Sequence, residues 1–207
     1  MTFRHWTLLG ALCFVAAAPA WANTLVYSNF GPGMDYNMNG FWLLTGPDFV
    51  GDKHAQSFTP VSTVLFENAV LPLSVTLGTH QLSIFLETDD GGEPGSILEQ
   101  IDVTPGANPS LLTANSVLHP TLVAGQQYWL VIAPLMADTH AQWYVNSIGD
   151  NSGYKYGDKL SSVIWYDGFD PTRSAFEING TSTPEPAAFS LAGLALLGLS
   201  AVLRKKD

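Results

Sequence analysis

Gln81-Leu82-Ser83-Ile84-Phe85-Leu86-Glu87 alternates apolar and polar residues, and Asp89-Asp90-Gly91-Gly92-Glu93-Pro94-Gly95 follows almost at once. The alternation places Leu82, Ile84 and Leu86 on one face of a strand, since successive side chains of extended chain point to opposite sides. The glycines permit positive φ and Pro94 fixes an extended exit, so the acidic segment reads as a turn joining that strand to another. Forty residues on, the segment 127–133 is apolar enough for a strand buried on both sides.

Working outward, short runs rich in Val, Ile, Leu, Thr and aromatic residues recur between Gly, Pro, Asn and Asp. They lie at 24–28, 55–59, 63–77 in two pieces broken near Pro72, 96–103, 117–121, 142–146, 162–166 and 174–179. No helical periodicity competes with them between residues 23 and 180. Eight to ten strands at this spacing predict an all-β, antiparallel β-sandwich of jelly-roll-like form over 23–180.

Two terminal segments stand apart. Residues 1–22 carry Arg4 and His5, an apolar stretch from Trp6 to Ala18, and the ending Pro19-Ala20-Trp21-Ala22. A charged start, a short apolar core and small residues at Ala20 and Ala22 read as a secretory signal helix cut by signal peptidase before Asn23. The single cysteine, Cys13, lies within it and lacks the Leu-then-small pattern of a lipoprotein. The expected exported chain therefore contains no thiol, which excludes disulfides, thiolate metal sites and cysteine nucleophiles.

At the other end, 181–207 reads as Thr181-Ser182-Thr183-Pro184-Glu185-Pro186, an uncharged apolar run over 187–203, and Arg204-Lys205-Lys206-Asp207. A helix over 187–203 would reach about 25 Å at 1.5 Å per residue, slightly short of a hydrocarbon core of roughly 30 Å. The basic cluster favours the cytoplasmic side, which puts the rest of the exported chain across the inner membrane. In order and spacing this tail resembles the PEP-CTERM sorting signal of Gram-negative bacteria. The resemblance implies that Pro184, Glu185 and Pro186, with Arg204, Lys205 and Lys206, are recognised by an exosortase, that the protein is held in the inner membrane until processed, and that it ends at the cell surface or outside a biofilm-forming, exopolysaccharide-producing cell. Gln56-Ser57-Phe58, the turn at 89–95 and Tyr128-Trp129-Leu130-Val131 resemble the choice-of-anchor extracellular β-sandwich domains, which have no generally assigned catalytic residues.

Charge narrows the partners. Between the two terminal segments, sixteen acidic residues face four basic ones, a net charge of −12. Such a surface repels nucleic acid and anionic lipid. Calcium is the cation that suits loop carboxylates, with Asp89, Asp90 and Glu93, or Asp167 and Asp170, as candidate ligands, although no calcium-loop spacing occurs. His54, His80, His119 and His140 lack zinc spacing, and no Gly-x-Ser-x-Gly, phosphate-loop or dinucleotide glycine pattern is present. No cofactor is expected.

Aromatic residues concentrate in the second half: Trp129, Trp143, Tyr144, Tyr154, Tyr156, Trp165 and Tyr166. Exposed rings beside polar groups suit sugar rings, and Tyr154, Tyr156, Trp165 and Tyr166, nearest to turn residues, are the candidate exposed set. The expected function is that of a non-catalytic surface or matrix component binding exopolysaccharide. The alternative is an exported carbohydrate-active hydrolase, whose two carboxylates can lie far apart in sequence.

Overall fold

The computed structural model describes residues 23–157, 164–167 and 172–182, and within them the chain is all-β. The expected signal helix, with Ala20 and Ala22, and the sorting tail, with Pro184, Glu185, Pro186 and 187–207, lie outside the described residues. Ala22–Glu185 forms one compact unit. Among the described residues no helix is long and apolar enough to cross a membrane.

Among the described residues twelve strands run in chain order: β1 (Asn23–Ser28), β2 (Tyr36–Thr45), β3 (Lys53–Phe58), β4 (Val64–Leu77), β5 (Leu82–Asp89), β6 (Pro94–Val103), β7 (Ser110–Asn115), β8 (Thr121–Leu122), β9 (Tyr128–Pro134), β10 (His140–Asn146), β11 (Tyr154–Gly157) and β12 (Glu177–Ser182). They build two antiparallel sheets. One follows the order β1-β12-β4-β10-β2, with β7 and β8 also on β4; the other follows β11-β3-β9-β5-β6.

The β5–β6 hairpin bears out the alternation that defined it. Leu82, Ile84 and Leu86 are fully buried between the sheets, and Asp89 pairs with Pro94 across the turn. Gly91 and Gly92 adopt φ of 67° and 92°, values that a side chain would strain. Strand β9 is buried along its whole length, as its apolar run requires.

Two strand readings are corrected. The segment 63–77 does not break near Pro72: β4 runs unbroken from Val64 to Leu77. Pro72 falls at the junction where β12, ending opposite Val70, gives way to β10, beginning opposite Leu73, so its missing N–H costs no ladder bond there. Nor is 117–121 a strand. Ser116 donates its hydroxyl to Glu99 Oε2 at 2.6 Å, and the Val117 and Leu118 amides donate to Glu99 Oε1 at 2.6 and 3.0 Å, which turns the chain before the two-residue β8. Of 162–166, the described part makes one bridge, Tyr166 to Tyr156.

The core lies between the sheets and is crowded with rings. Phe176 stacks on Tyr27 with centroids 4.8 Å apart and meets Trp143 edge-on at 6.2 Å. Phe66, Leu71, Leu73, Leu122, Leu130 and Ile132 complete it without solvent contact. Full burial of such a side chain contributes roughly 1.5–3 kcal/mol, so this layer holds the sandwich together. At one end a polar cluster takes over. Buried Arg173 donates to Gln56 Oε1 at 3.1 Å, Tyr27 OH at 2.8 Å and Asp150 Oδ2 at 3.1 Å, and also to the Ser57 carbonyl.

Candidate functional site

With both inner faces committed to the core, ligand chemistry falls to the outer faces. On the seven-stranded sheet, β10 alternates Ala141 and Trp143 inward with His140, Gln142 and Tyr144 outward. Register carries the same phase to β2, where Phe41 stands opposite Tyr144 and Leu43 opposite Gln142, and to β4, where Ser74 stands opposite Gln142. The result is an aromatic platform. Phe41 lies 5.9 Å from Tyr144 at 69°, Tyr36 lies 5.8 Å from Tyr144, and Phe30 lies 6.4 Å from Tyr36. Phe49 and His140 extend it with an edge contact at 5.5 Å.

Polar groups are set into the platform. Tyr144 donates to Gln142 Oε1 at 2.6 Å, and the Ser74 hydroxyl lies 3.0 Å from Tyr144 OH and 3.3 Å from Gln142 Oε1. Among the described residues no acceptor takes the Gln142 Nε2 protons, which leaves a donor amid apolar rings. Phe41 is 41% exposed, and Leu43 and Phe49 are also exposed. Burial, with a smaller contribution from Tyr144, raises the pKa of Tyr36, so that phenol stays neutral. Rings that stack and amides or hydroxyls that hydrogen-bond are what the two faces of a pyranose ask for.

The outer face of the five-stranded sheet is different in character. Lys53 and Ala55 of β3, Trp129, Val131 and Ala133 of β9, and Ser83, Phe85 and Glu87 of β5 point away from the core, with Gln100 and Asp102 beside them on β6. Trp165 packs over Ala55, Trp129 and Val131, and the Lys53 ammonium sits 4.5 Å from its ring centre. A groove of about 280 Å³ remains between Lys53, Phe85, Glu87, Ile97, Gln100 and Leu135. Burial pushes the Glu87 carboxyl up to about 7, although nearby Lys53 pulls the other way, and burial also lowers the Lys53 pKa.

The four aromatic candidates do not form one exposed set. Tyr154 is only 6% exposed: it stacks on Trp42 at 4.7 Å and its hydroxyl meets His54 Nδ1 at 2.8 Å. Trp165 is 9% exposed, under the Lys53 contact. Both were expected at the surface, and both fill space against neighbouring strands instead. Tyr166 is 38% exposed and half-buried Tyr156 lies against it, ring centres 5.4 Å apart. The platform residues Tyr36, Phe41 and Leu43 were missed because Asn37, Asn39 and Gly40 look like a turn. The apolar run Gly40-Phe41-Trp42-Leu43-Leu44 was the available signal.

Asp89 proves to be a hydrogen-bond hub. Its Oδ1 accepts Trp129 Nε1 at 2.7 Å and Gln127 Nε2 at 2.8 Å, and its Oδ2 accepts the Gly92 amide at 3.1 Å. Asp90 and Glu93 close the turn through their backbones, Asp90 N to Glu93 O at 2.8 Å. Among the described residues no three His, Cys, Asp or Glu side chains gather as a metal would require, and Asp167 pairs with Lys155 at 2.8 Å. The histidines serve as internal partners: His80 to Pro105 O, His119 to Phe66 O and His140 to Thr76.

The described chain is thus a sandwich of two antiparallel β-sheets. No family model matches it, and no curated protein does. Among solved structures, a chain from the cryo-EM structure of Broad Bean Stain Virus aligns over 83% of this chain and 96% of its own length, at 9% identity and a TM-score of 0.23. A superposition that loose carries no argument about fold or function.

Proposed function

We propose that this protein is an exported, non-catalytic surface or matrix module that binds a neutral exopolysaccharide along the outer face of its seven-stranded sheet. The observation that carries the reading is the platform of Phe41 and Tyr36 beside Gln142, backed by buried Tyr144 and Ser74. Its outward row runs from His140 to Tyr144, about 14 Å of strand, long enough to meet more than one sugar ring. The acidic surface, sixteen carboxylates against four basic residues over 23–182, favours neutral over anionic polymers.

The terminal sequences support the rest: a secretory leader ending at Ala20 and Ala22, and a Pro184-Glu185-Pro186 tail with Arg204, Lys205 and Lys206 of the kind an exosortase processes in the inner membrane. The hydrolase alternative gains less. Glu87 lies on β5 and Asp102 on β6 opposite Ser83, four β5 residues away and about 13 Å along the strand, wider than the roughly 5–10 Å that glycosidic carboxylate pairs span.

A glycan array probed with the full chain tests the binding. Hits among neutral polysaccharides that vanish in Phe41→Ala support it; a blank array, or product release from a hit, overturns it. Recovery of the protein from the cytosol with both termini intact would overturn the export.

A further inference from the structure

We propose that the groove on the outer face of the five-stranded sheet is a second binding site, taking one neutral sugar residue whose adjacent hydroxyls are held by the Glu87 carboxylate and whose apolar face rests on Phe85 and Val131. This site is separate from the aromatic platform and stands without it.

Glu87 is the reason. Its residue is only 8% exposed, it lines the groove, and no hydrogen bond reaches its carboxyl within the described residues. A carboxyl this enclosed and lacking a protein donor depends for its hydrogen bonds on what enters the groove, whether water or the hydroxyls of a ligand. Two other acids near the sheet already have donors. Asp102 accepts Ser83 Oγ at 2.7 Å and Gln100 Nε2 at 2.9 Å, and Asp89 is taken by Trp129 and Gln127. Gln100 has thus committed its amide nitrogen and keeps its carbonyl as an acceptor for a further hydroxyl.

Size and charge select the ligand class. About 280 Å³ lies at the small end of ligand sites, which run from roughly 300 to 1,000 Å³, so one ring fits and a polymer does not. The charged or titratable groups facing Glu87 are Lys53 from β3 and, farther along, Asp102 from β6. β9 presents only Trp129, Val131 and Ala133, and the Lys155 of β11 is paired with Asp167. Lys53 opposes a cationic ligand, and two carboxyls in an acidic domain oppose an anionic one. A neutral diol avoids both and donates to Glu87.

The two hydroxyls favour the ionised carboxyl, so binding should expel the proton that burial holds on Glu87 below about pH 7. The test is calorimetry on the full chain with methyl glucoside, methyl galactoside and methyl mannoside, beside glucuronate and glucosamine, from pH 5 to 8. The expected result is binding of at least one neutral glycoside that tightens up to about tenfold per pH unit and levels off above pH 7. Glu87→Gln should flatten that profile and weaken binding at pH 8. Leu135→Trp, which narrows the exposed rim at a position not paired with Glu87, should weaken it at every pH. No binding across the panel, preference for glucuronate that strengthens on acidification, or loss in Phe41→Ala would each overturn the proposal. The last outcome would leave the platform as the sole site.

Discussion

Arg173, on the approach to β12, donates through Nε to Gln56 Oε1 of β3 at 3.1 Å, so the two sheets are joined at this end by a charge as well as by apolar packing. The same guanidinium lies 5.2 Å from the Tyr27 ring centre and reaches Asp150, whose own oxygen accepts Tyr27 OH at 2.7 Å. A buried cation with this many partners is a fixed point of the fold rather than a free recognition group.

Arg173→Ala should therefore destabilise the protein by about 3–5 kcal/mol, because it strands Asp150 as well as removing the cross-sheet bonds. Asp150→Asn, which keeps the shape and part of the hydrogen bonding, should cost less. Urea unfolding followed by tryptophan fluorescence checks both.

His54 sets the acid limit. It is fully enclosed beside Tyr154 and Trp42, and burial lowers its pKa to about 4, although the Leu43 carbonyl pulls the other way. The folded state rejects a proton that the unfolded chain accepts near pH 6.5, so this contribution is complete above 6.5 and is lost as pH falls toward 4. The difference corresponds to about 3 kcal/mol. His54→Gln should remove that dependence from a stability profile between pH 7 and 4.

Glu87 acts in the opposite direction. Its folded pKa of about 7 lies above the ordinary 4.5, so its contribution is full below 4.5 and is lost as pH rises through 7. Glu87→Gln should match the parent protein at pH 4 and exceed it by about 2–3 kcal/mol at pH 8. Equal stabilities at pH 8 would show that the carboxyl is not held protonated.

On the platform, Phe41→Ala and Tyr36→Ala should each weaken polysaccharide binding by about 1–2 kcal/mol, near tenfold, through lost stacking. Their exposure predicts melting temperatures within a few degrees of the parent protein. Co-sedimentation with the bound polysaccharide and a thermal melt separate the two effects.

Asp89→Ala should loosen the hairpin and leave Trp129 Nε1 buried without an acceptor, costing about 1–3 kcal/mol. With both carboxylate oxygens already accepting hydrogen bonds, Asp89 should give the same loss in calcium and in chelator, which paired melts would read directly. A calcium-dependent difference would support the metal reading of Asp89, Asp90 and Glu93.

The sequence by itself determined the class of fold: period-two runs such as Leu82, Ile84 and Leu86 pair only as strands, and Gly91 and Gly92 mark the hairpin because side chains resist their φ. It did not determine which ring meets solvent. Tyr154 and Phe41 both sit in strands beside turn residues, yet β11 turns its tyrosine toward Trp42 while β2 turns its phenylalanine out. Alternation names two faces without saying which one another sheet will cover. The raised pKa of Glu87 was equally hidden, since it arises when neighbouring strands close around one carboxyl and take away much of its water. Composition fixes how many charges a chain carries, and only packing decides how much solvent each of them keeps.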